Sequence, residues 1–561
     1  MKKQMLPILV VLCLILLVAG AGAVSFVINR YSPSRERMDG NEYYQLTSSE
    51  DAALVVNQEI LDEKAKIMDG RFYVEDAVVG KYINSRFYWD EQRKVMLYAL
   101  PTEVLEIHPQ IQEYQTSQGI QSTDYVILKS VEDSFYLDWE FIQQFSNLEA
   151  VVYQNPNRIV IRTDSGDRTV ATVKKESPIR QKGGIKSIII DEVEKDEQVY
   201  LLEEMDNWSK IATKDGYIGY IEKKQLSEPE VITVVNPGIL PEYTNMKKEY
   251  KINMAWHQVT SQEGNDMLTS VLSETQGLNT ISPTWFSVID NNGNISSLAS
   301  ADYVSQAHSM GLEVWALIDN FSTQADTLTF LSNAQARANI IQQLMMQADT
   351  TGFDGVNLDF ESITEEQGPH YVQFIRELSI ACRQRGLVFS IDVPVPTYTK
   401  HYNRTEMGIV ADYVIIMGYD EHYGGADEAG SVASIEFVRN GIIDTLDEVP
   451  ADKVINAVPF YTRVWREPYG GGNLTSDVLG MDGCSNYIAE KGMDVYWDTS
   501  MGQNVASLEG DDALYTIWVE DEQSIEEKMK LVPEYNLAGV SAWKLGFERA
   551  SVWPVISQYL Q

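Results

Sequence analysis

Between residue 251 and the end of the chain, short apolar runs alternate with longer stretches whose apolar positions recur every three or four residues. The first pattern predicts buried strands and the second amphipathic helices, and their regular alternation predicts parallel β/α units. The candidate strands are 252–256, 280–282, 313–318, 355–360, 388–393, 413–417, 454–458 and 539–543. Eight such strands within residues 246–561 predict an α/β fold of the TIM (β/α)8 barrel type, whose functional side chains stand at the C-terminal ends of the strands. Residues 466–530 are too many for one βα connection, so a small insertion is expected beside that end.

Upstream the pattern changes. An apolar run from Met5 to Ile28 follows Lys2 and Lys3, and at about 1.5 Å per residue of helix it is long enough to cross a bilayer. A retained transmembrane anchor over 1–29 is expected. The alternative is a cleaved signal segment, because Ala21-Gly22-Ala23 resembles a cleavage site. Arg30, Arg35 and Arg37 match the charge of Lys2, Lys3 and the amino terminus, so flanking charge does not set the orientation. Residues 30–66 read as a polar linker. Residues 67–170 carry an internal repeat of pattern: Phe72-Tyr73-Val74, a periodic segment, Tyr88-Trp89-Asp90 and an apolar run at 94–98 are matched by Phe135-Tyr136-Leu137, a segment through Phe141, Ile142 and Phe145, Val151-Val152-Tyr153 and a run at 158–162. Each copy predicts strand, short helix and hairpin, an α+β module. Residues 174–228 alternate with period two through Lys214-Asp215-Gly216-Tyr217, which predicts a small antiparallel β-barrel with an Asp-Gly turn.

Composition removes some functions. Lys and Arg number 44 against 82 Asp and Glu, a formal charge of -38, which repels nucleic acid phosphates and reads as a solvated outer surface. Of three cysteines, Cys13 lies in the apolar run, and Cys382 and Cys484 are expected to be free thiols. Neither has a neighbour at metal-ligand spacing, so no metal site is expected.

The candidate chemistry lies in Gly352-Phe353-Asp354-Gly355-Val356-Asn357-Leu358-Asp359-Phe360-Glu361. Alternate side chains of a strand share a face, so Asn357, Asp359 and Glu361 point together and away from Val356, Leu358 and Phe360. Two carboxylates this close raise the proton affinity of the pair, so one stays protonated near neutral pH. An acid beside a charge-stabilising carboxylate is what glycoside cleavage requires.

This segment closely resembles the Asp-x-x-Asp-x-Asp-x-Glu signature of glycoside hydrolase family 18. Met417-Gly418-Tyr419-Asp420, Pro459-Phe460-Tyr461-Thr462-Arg463 and Trp543 follow the strands at which that family carries its other site residues. Asn357 stands where the commonest pattern has Asp, although a spore-cortex-related branch with wall-binding modules also has Asn there. The resemblance implies an enzyme that cleaves β-linked N-acetylglucosamine polymers, peptidoglycan ahead of chitin, without a cofactor and by a substrate-assisted retaining mechanism. Carried over by motif position, Glu361 is the acid and then the base, Asp359 orients the acetamide, Tyr419 hydrogen-bonds its oxygen, Asp420 supports the sugar and Trp543 lies beneath it. Asn357 is expected to donate a hydrogen bond to Asp359, and Asp354, Trp285, Tyr461 and Arg463 to join substrate binding. Trp518 is a further candidate platform for sugar, and His257 and His422 are read as polar rim residues.

The upstream modules carry resemblances of their own. The repeat is similar to the small amino-terminal module of copper amine oxidases, without copper ligands. Trp208-x-Lys210-Ile211 and Asp215-Gly216-x-x-Gly219-Tyr220 resemble bacterial SH3 domains, which implies attachment to the bacterial cell wall. With the anchor, a single-pass membrane protein with an extracellular catalytic domain is expected, or a secreted one if the first segment is cleaved. The reading from a different class is a non-catalytic carbohydrate-binding scaffold, against which the intact Glu361 and Asp359 speak.

Overall fold

The computed structural model describes residues 5–236, 241–397 and 399–560, apart from some side chains of the first helix. The chain forms two units, one of Met1–Phe87, Ile107–Gln115 and Ile120–Leu240, the other of Tyr88–Glu106, Thr116–Gly119 and Pro241–Gln561.

In the first unit the apolar run folds as one helix, Met5–Tyr31. Among the described residues, however, no helix is long and apolar enough to cross a membrane, so the anchor expected over 1–29 is not carried by them. Small residues, Ala19-Gly20-Ala21, occupy the middle of this helix. The linker expected over 30–66 is also corrected. Asp51–Val56 and Glu59–Met68 are strands inside a seven-stranded sheet, between Arg158–Arg162 and Arg71–Glu75. Asp51–Val56 is buried at every position; its unbroken apolar run is a core strand whose acidic flanks make it read as linker. The repeat is visible as folded structure: Arg71–Glu75 and Ser134–Asp138 each lead into helical turns and then a hairpin. In the second copy Asp138 accepts from the main-chain N–H groups of Glu140 and Phe141 at 3.0 and 3.2 Å, capping helix Trp139–Gln144, while Arg71 grips its carboxylate at 2.7 and 2.9 Å.

A second, antiparallel seven-stranded sheet follows in the order Ile189–Val193, Ser177–Arg180, Ile218–Glu222, Trp208–Ala212, Gln198–Glu204, Gly166–Thr172, Glu230–Val234. Gly166–Thr172 therefore belongs here, which moves the boundary expected at 170 to about residue 165. The Asp215-Gly216 turn joins Trp208–Ala212 to Ile218–Glu222, with Gly216 at φ +97°.

The second unit is an eight-stranded parallel barrel: β1 (Ile252–His257), β2 (Thr280–Val288), β3 (Glu313–Asp319), β4 (Gly355–Asp359), β5 (Val388–Pro394), β6 (Tyr413–Met417), β7 (Val454–Pro459) and β8 (Gly539–Trp543). Each strand pairs with the next, and β1 pairs with both β2 and β8, which closes the ring. Strand alternation makes two cores. Val314, Ala316, Ile318, Val356, Leu358, Phe360, Ile391 and Val393 pack outward with residues of helices Ala334–Thr351 and Gly368–Arg385, whereas Trp256, Trp315, Leu317, Val388, Tyr413 and Ile415 fill the lumen.

The insertion is a five-stranded antiparallel sheet with helix Met481–Lys491. It spans 461–519 rather than 466–530: only Phe460 separates strand Tyr461–Pro468 from β7, and helix Glu522–Met529 places Ile525 and Met529 in the barrel's outer core. The hairpin of the first repeat also belongs to this unit. The Tyr88 hydroxyl lies 2.6 Å from His370 Nδ1, and Arg383 Nη1 donates to the Pro101 carbonyl at 2.5 Å.

Candidate active site

Register across the barrel assembles the site. Asp319 on β3 is level with Asp359 on β4, and the pairing of Leu358 with Ile391 sets Asp359 beside Asp392 on β5. One layer below, Asn357 is fully buried and uses all four of its hydrogen-bonding positions. Its Oδ1 accepts from Trp256 Nε1 at 2.9 Å and Ser282 Oγ at 3.0 Å; its Nδ2 donates to Ser390 Oγ at 3.1 Å and Asp392 Oδ1 at 2.8 Å. The bond expected from Asn357 to Asp359 is therefore made to Asp392 instead, because the amide lies toward β5.

Asp359 is 6 % exposed, and its Oδ1 is buried without a hydrogen-bond partner. Burial first, then the charges of Asp392, Glu361 and Asp319, push its carboxyl well above the usual range. Burial likewise raises Asp392, against the hydrogen bond from Asn357.

Glu361 lies just past the end of β4, half-buried. Asn320 clamps its main chain, accepting from Glu361 N at 2.9 Å and donating to Glu361 O at 3.0 Å. The next residue, Ser362, takes φ +54°, so the chain turns sharply once the carboxyl is in place. Burial, then Asp420 and Asp319, raise the Glu361 pKa above the ordinary carboxylate value, which suits a group that must hold a proton until it reacts. Tyr419 packs edge-on to Tyr461 with ring centroids 6.3 Å apart, and the Tyr461 hydroxyl donates to Asp420 Oδ1 at 2.5 Å. Trp543 ends β8 with its ring 5.8 Å from that of Trp256. Carboxyls, hydroxyl and indole thus meet at the C-terminal ends of β4, β6 and β8. Among the described residues no group of His, Cys, Asp or Glu is arranged to hold a metal ion.

The family model described as "Glycosyl hydrolases family 18" matches residues 251–548. The chain belongs to glycosyl hydrolases family 18. The chain is 30% identical over 220 residues to the putative sporulation-specific glycosylase YdhD of Bacillus subtilis, a match covering 38% of this chain and 52% of that protein. It is 25% identical over 279 residues to the cortical fragment-lytic enzyme of the same organism, covering 47% and 64%. The matches thus span between about half and two thirds of these two curated relatives. The spore cortex-lytic enzyme SleL of Bacillus megaterium superposes with a TM-score of 0.50 at 18% identity, covering 59% of this chain and 77% of that one. The C-terminal domain of a putative chitinase from Desulfitobacterium hafniense gives 0.51 at 19%, covering 56% and 100%. These two likenesses show the fold.

Not every expected residue reaches the family-18 site. Asp354 precedes β4, at the opposite barrel end, where Oδ2 accepts from Val314 N at 2.8 Å and lies 2.8 Å from His308 Nε2. Trp285 is buried in the outer core, donating from Nε1 to Asn265 Oδ1 at 2.9 Å, so it offers sugar no surface. Arg463 belongs to the insertion sheet, donates to Ser476 Oγ at 3.2 Å and acts on the site through its charge near Tyr461. Trp518 is half-buried in the same sheet, its carbonyl accepting from Thr462 Oγ1. His257 is no rim residue: it is buried against Tyr303, with Nδ1 2.9 Å from the hydroxyl, and burial lowers its pKa to about 4. His422 Nδ1 donates to the Ser431 carbonyl at 2.9 Å within its own loop. The family-18 barrel also holds residues the strand-end motifs do not mark, namely Asp319, Asn320, Ser390 and Asp392. Their signal is a polar residue at alternate positions of an apolar strand, as Ser390 and Asp392 stand between Phe389, Ile391 and Val393.

Proposed function

We propose that this protein hydrolyses β-linked N-acetylglucosamine polymers of the cell envelope, peptidoglycan in particular, by substrate-assisted retaining catalysis. The observation that carries the reading is Glu361: a half-buried carboxyl with a raised pKa, held by Asn320 at the end of β4 and two residues beyond the buried Asp359. Glu361 gives its proton to the glycosidic oxygen as the substrate's acetamido oxygen closes on the anomeric carbon. Asp359 accepts from the acetamide N–H and faces the positive charge of the oxazolinium, while the Tyr419 hydroxyl donates to the acetamide oxygen. The Glu361 carboxylate then takes a proton from the water that opens the ring. Asp420, braced by Tyr461, and the indole of Trp543 hold the sugar. Relatives named as cortical fragment-lytic enzymes favour peptidoglycan; a solved fold named as that of a putative chitinase makes chitin the second reading. The antiparallel sheet of the first unit is read as an SH3-like wall-binding module, and the strand–helix–hairpin repeat as an amine-oxidase-module-like spacer or wall-binding module, on their sequence patterns. An extracytoplasmic location rests on the apolar run of residues 5–28 and on the envelope substrate.

Residues 32–561 and their Glu361→Gln variant, incubated with purified peptidoglycan and with chitin oligomers, test this by mass analysis of released sugars. Release from peptidoglycan, falling about 100-fold or more in the variant, is expected. Release from chitin alone moves the substrate to the second reading, and binding without release from either makes the protein a carbohydrate-binding scaffold.

A further inference from the structure

Asp359 and Asp392 are neighbours on adjacent parallel strands, whose chains run about 4.8 Å apart. Leu358 and Ile391 face the outer core, so alternation turns both carboxyls into the lumen. They are 6 % and 2 % exposed, and among the described residues no Lys or Arg pairs with either. Glu361, Asp319, Tyr419, Tyr371 and Tyr402 are the other titratable groups whose charges bear on the pair, and all are acidic or neutral. Two adjacent buried carboxylates without a cation do not both ionise near neutral pH, so the pair holds a proton.

Asn357 decides where the charge rests. Trp256 Nε1 is a donor only, so the amide oxygen must face it, and the N–H groups are left for Ser390 and Asp392. That donor stabilises an ionised Asp392, whereas Asp359 Oδ1 has no donor at all. In the free protein the proton therefore sits on Asp359.

We propose that Asp392 is the proton partner of Asp359, a positioning residue that takes its proton when a substrate acetamide arrives. The step rests on the reaction proposed above. The O–H bond of Asp359 breaks and one forms on Asp392; the negative charge passes to Asp359, opposite the developing oxazolinium, and the proton returns when water opens the ring. The pair keeps one proton and one charge throughout, and the proton of Glu361 is separate. Asn357 cannot serve as this partner, because an amide with every position engaged neither takes nor gives a proton.

The test compares the wild-type protein with Asp392→Asn and with an exchange variant that combines Asn357→Asp and Asp392→Asn, following the infrared absorption of the protonated buried carboxyl against pH together with kcat and KM. In the exchange variant the carboxylate introduced on β4 would accept from Trp256 and Ser282, and the amide introduced on β5 would donate to it, so the network stays satisfied and melting temperature checks that it does. Asp392→Asn removes the neighbouring charge, so the carboxyl is expected to titrate at lower pH and kcat to fall about 100-fold with KM little changed. The exchange variant is expected to restore the titration and to regain at least about tenfold in kcat over Asp392→Asn. An unchanged titration in Asp392→Asn overturns the proton pairing whatever the enzyme hydrolyses. A lowered titration in a protein that hydrolyses no N-acetylglucosamine polymer overturns the reaction, and the proton transfer with it.

Discussion

In the proposed reaction Glu361 works only while it carries a proton, and its neighbours set how long it does. Burial raises its pKa first, and the carboxylates of Asp420 and Asp319 raise it further. The acid form is present below that pKa, so kcat/KM falls as pH rises through it. Replacing Asp420 or Asp319 by Asn removes a negative charge that favours the proton. The alkaline limb of the pH profile is then expected to move to lower pH, and a limb that stays in place in both variants contradicts the account. At this scale Asp359 and Glu361 are legible from period-two alternation at a strand end, whereas Tyr419, Asp420 and Trp543 are legible through their resemblance to the family-18 motifs that follow the later strands. Asp319, Asn320 and Asp392 are not. Asp319 ends β3 with Asn320 next, and Asp392 alternates with the apolar residues of β5, but what they do comes from the register between strands, which alternation within one strand does not specify.

Among the elements, helices Ala334–Thr351 and Gly368–Arg385 cover the barrel where β3 to β5 carry the aspartates. They are tied by Arg337, which is fully buried, donates to both oxygens of Glu377 at 2.9 and 3.0 Å and to the Leu331 carbonyl at 2.7 Å, and lies 3.7 Å from Asp90. Breaking such a pair from one side leaves a buried charge short of partners, at a cost of about 3–5 kcal/mol. Glu377→Gln is expected to lower unfolding free energy by that order in denaturant titrations, with kcat/KM of the folded protein unchanged; a variant as stable as wild type would show that the pair does not hold these helices. The eight barrel strands are readable because each is bounded by turns and followed by a helix of different period. The linker and the insertion boundary mislead for the opposite reason. Asp51–Val56 lies among charged neighbours, and Tyr461–Pro468 starts so soon after β7 that the change from parallel to antiparallel pairing leaves no mark in the pattern.

For the whole molecule, the order of segments along the chain does not equal the division into units. The hairpin within Tyr88–Glu106 comes from the first repeat yet packs with the barrel, with Tyr88 against His370 and Asp90 near Arg337. Such a long-range contact is invisible to a reading that walks along the chain. The layout of the catalytic barrel, by contrast, follows from alternation alone, and its chemistry follows from which side chains that alternation brings to one end. Stereochemistry tests the central claim most directly. Attack by the substrate's own acetamide from the side opposite the leaving group, followed by water, inverts the anomeric carbon twice. Proton NMR of the first sugars released from a β-linked N-acetylglucosamine substrate is expected to show the β anomer, with the α anomer appearing only later by mutarotation. An α anomer formed first would mean a single displacement by water, and the mechanism built on Glu361, Asp359 and the acetamide would be wrong.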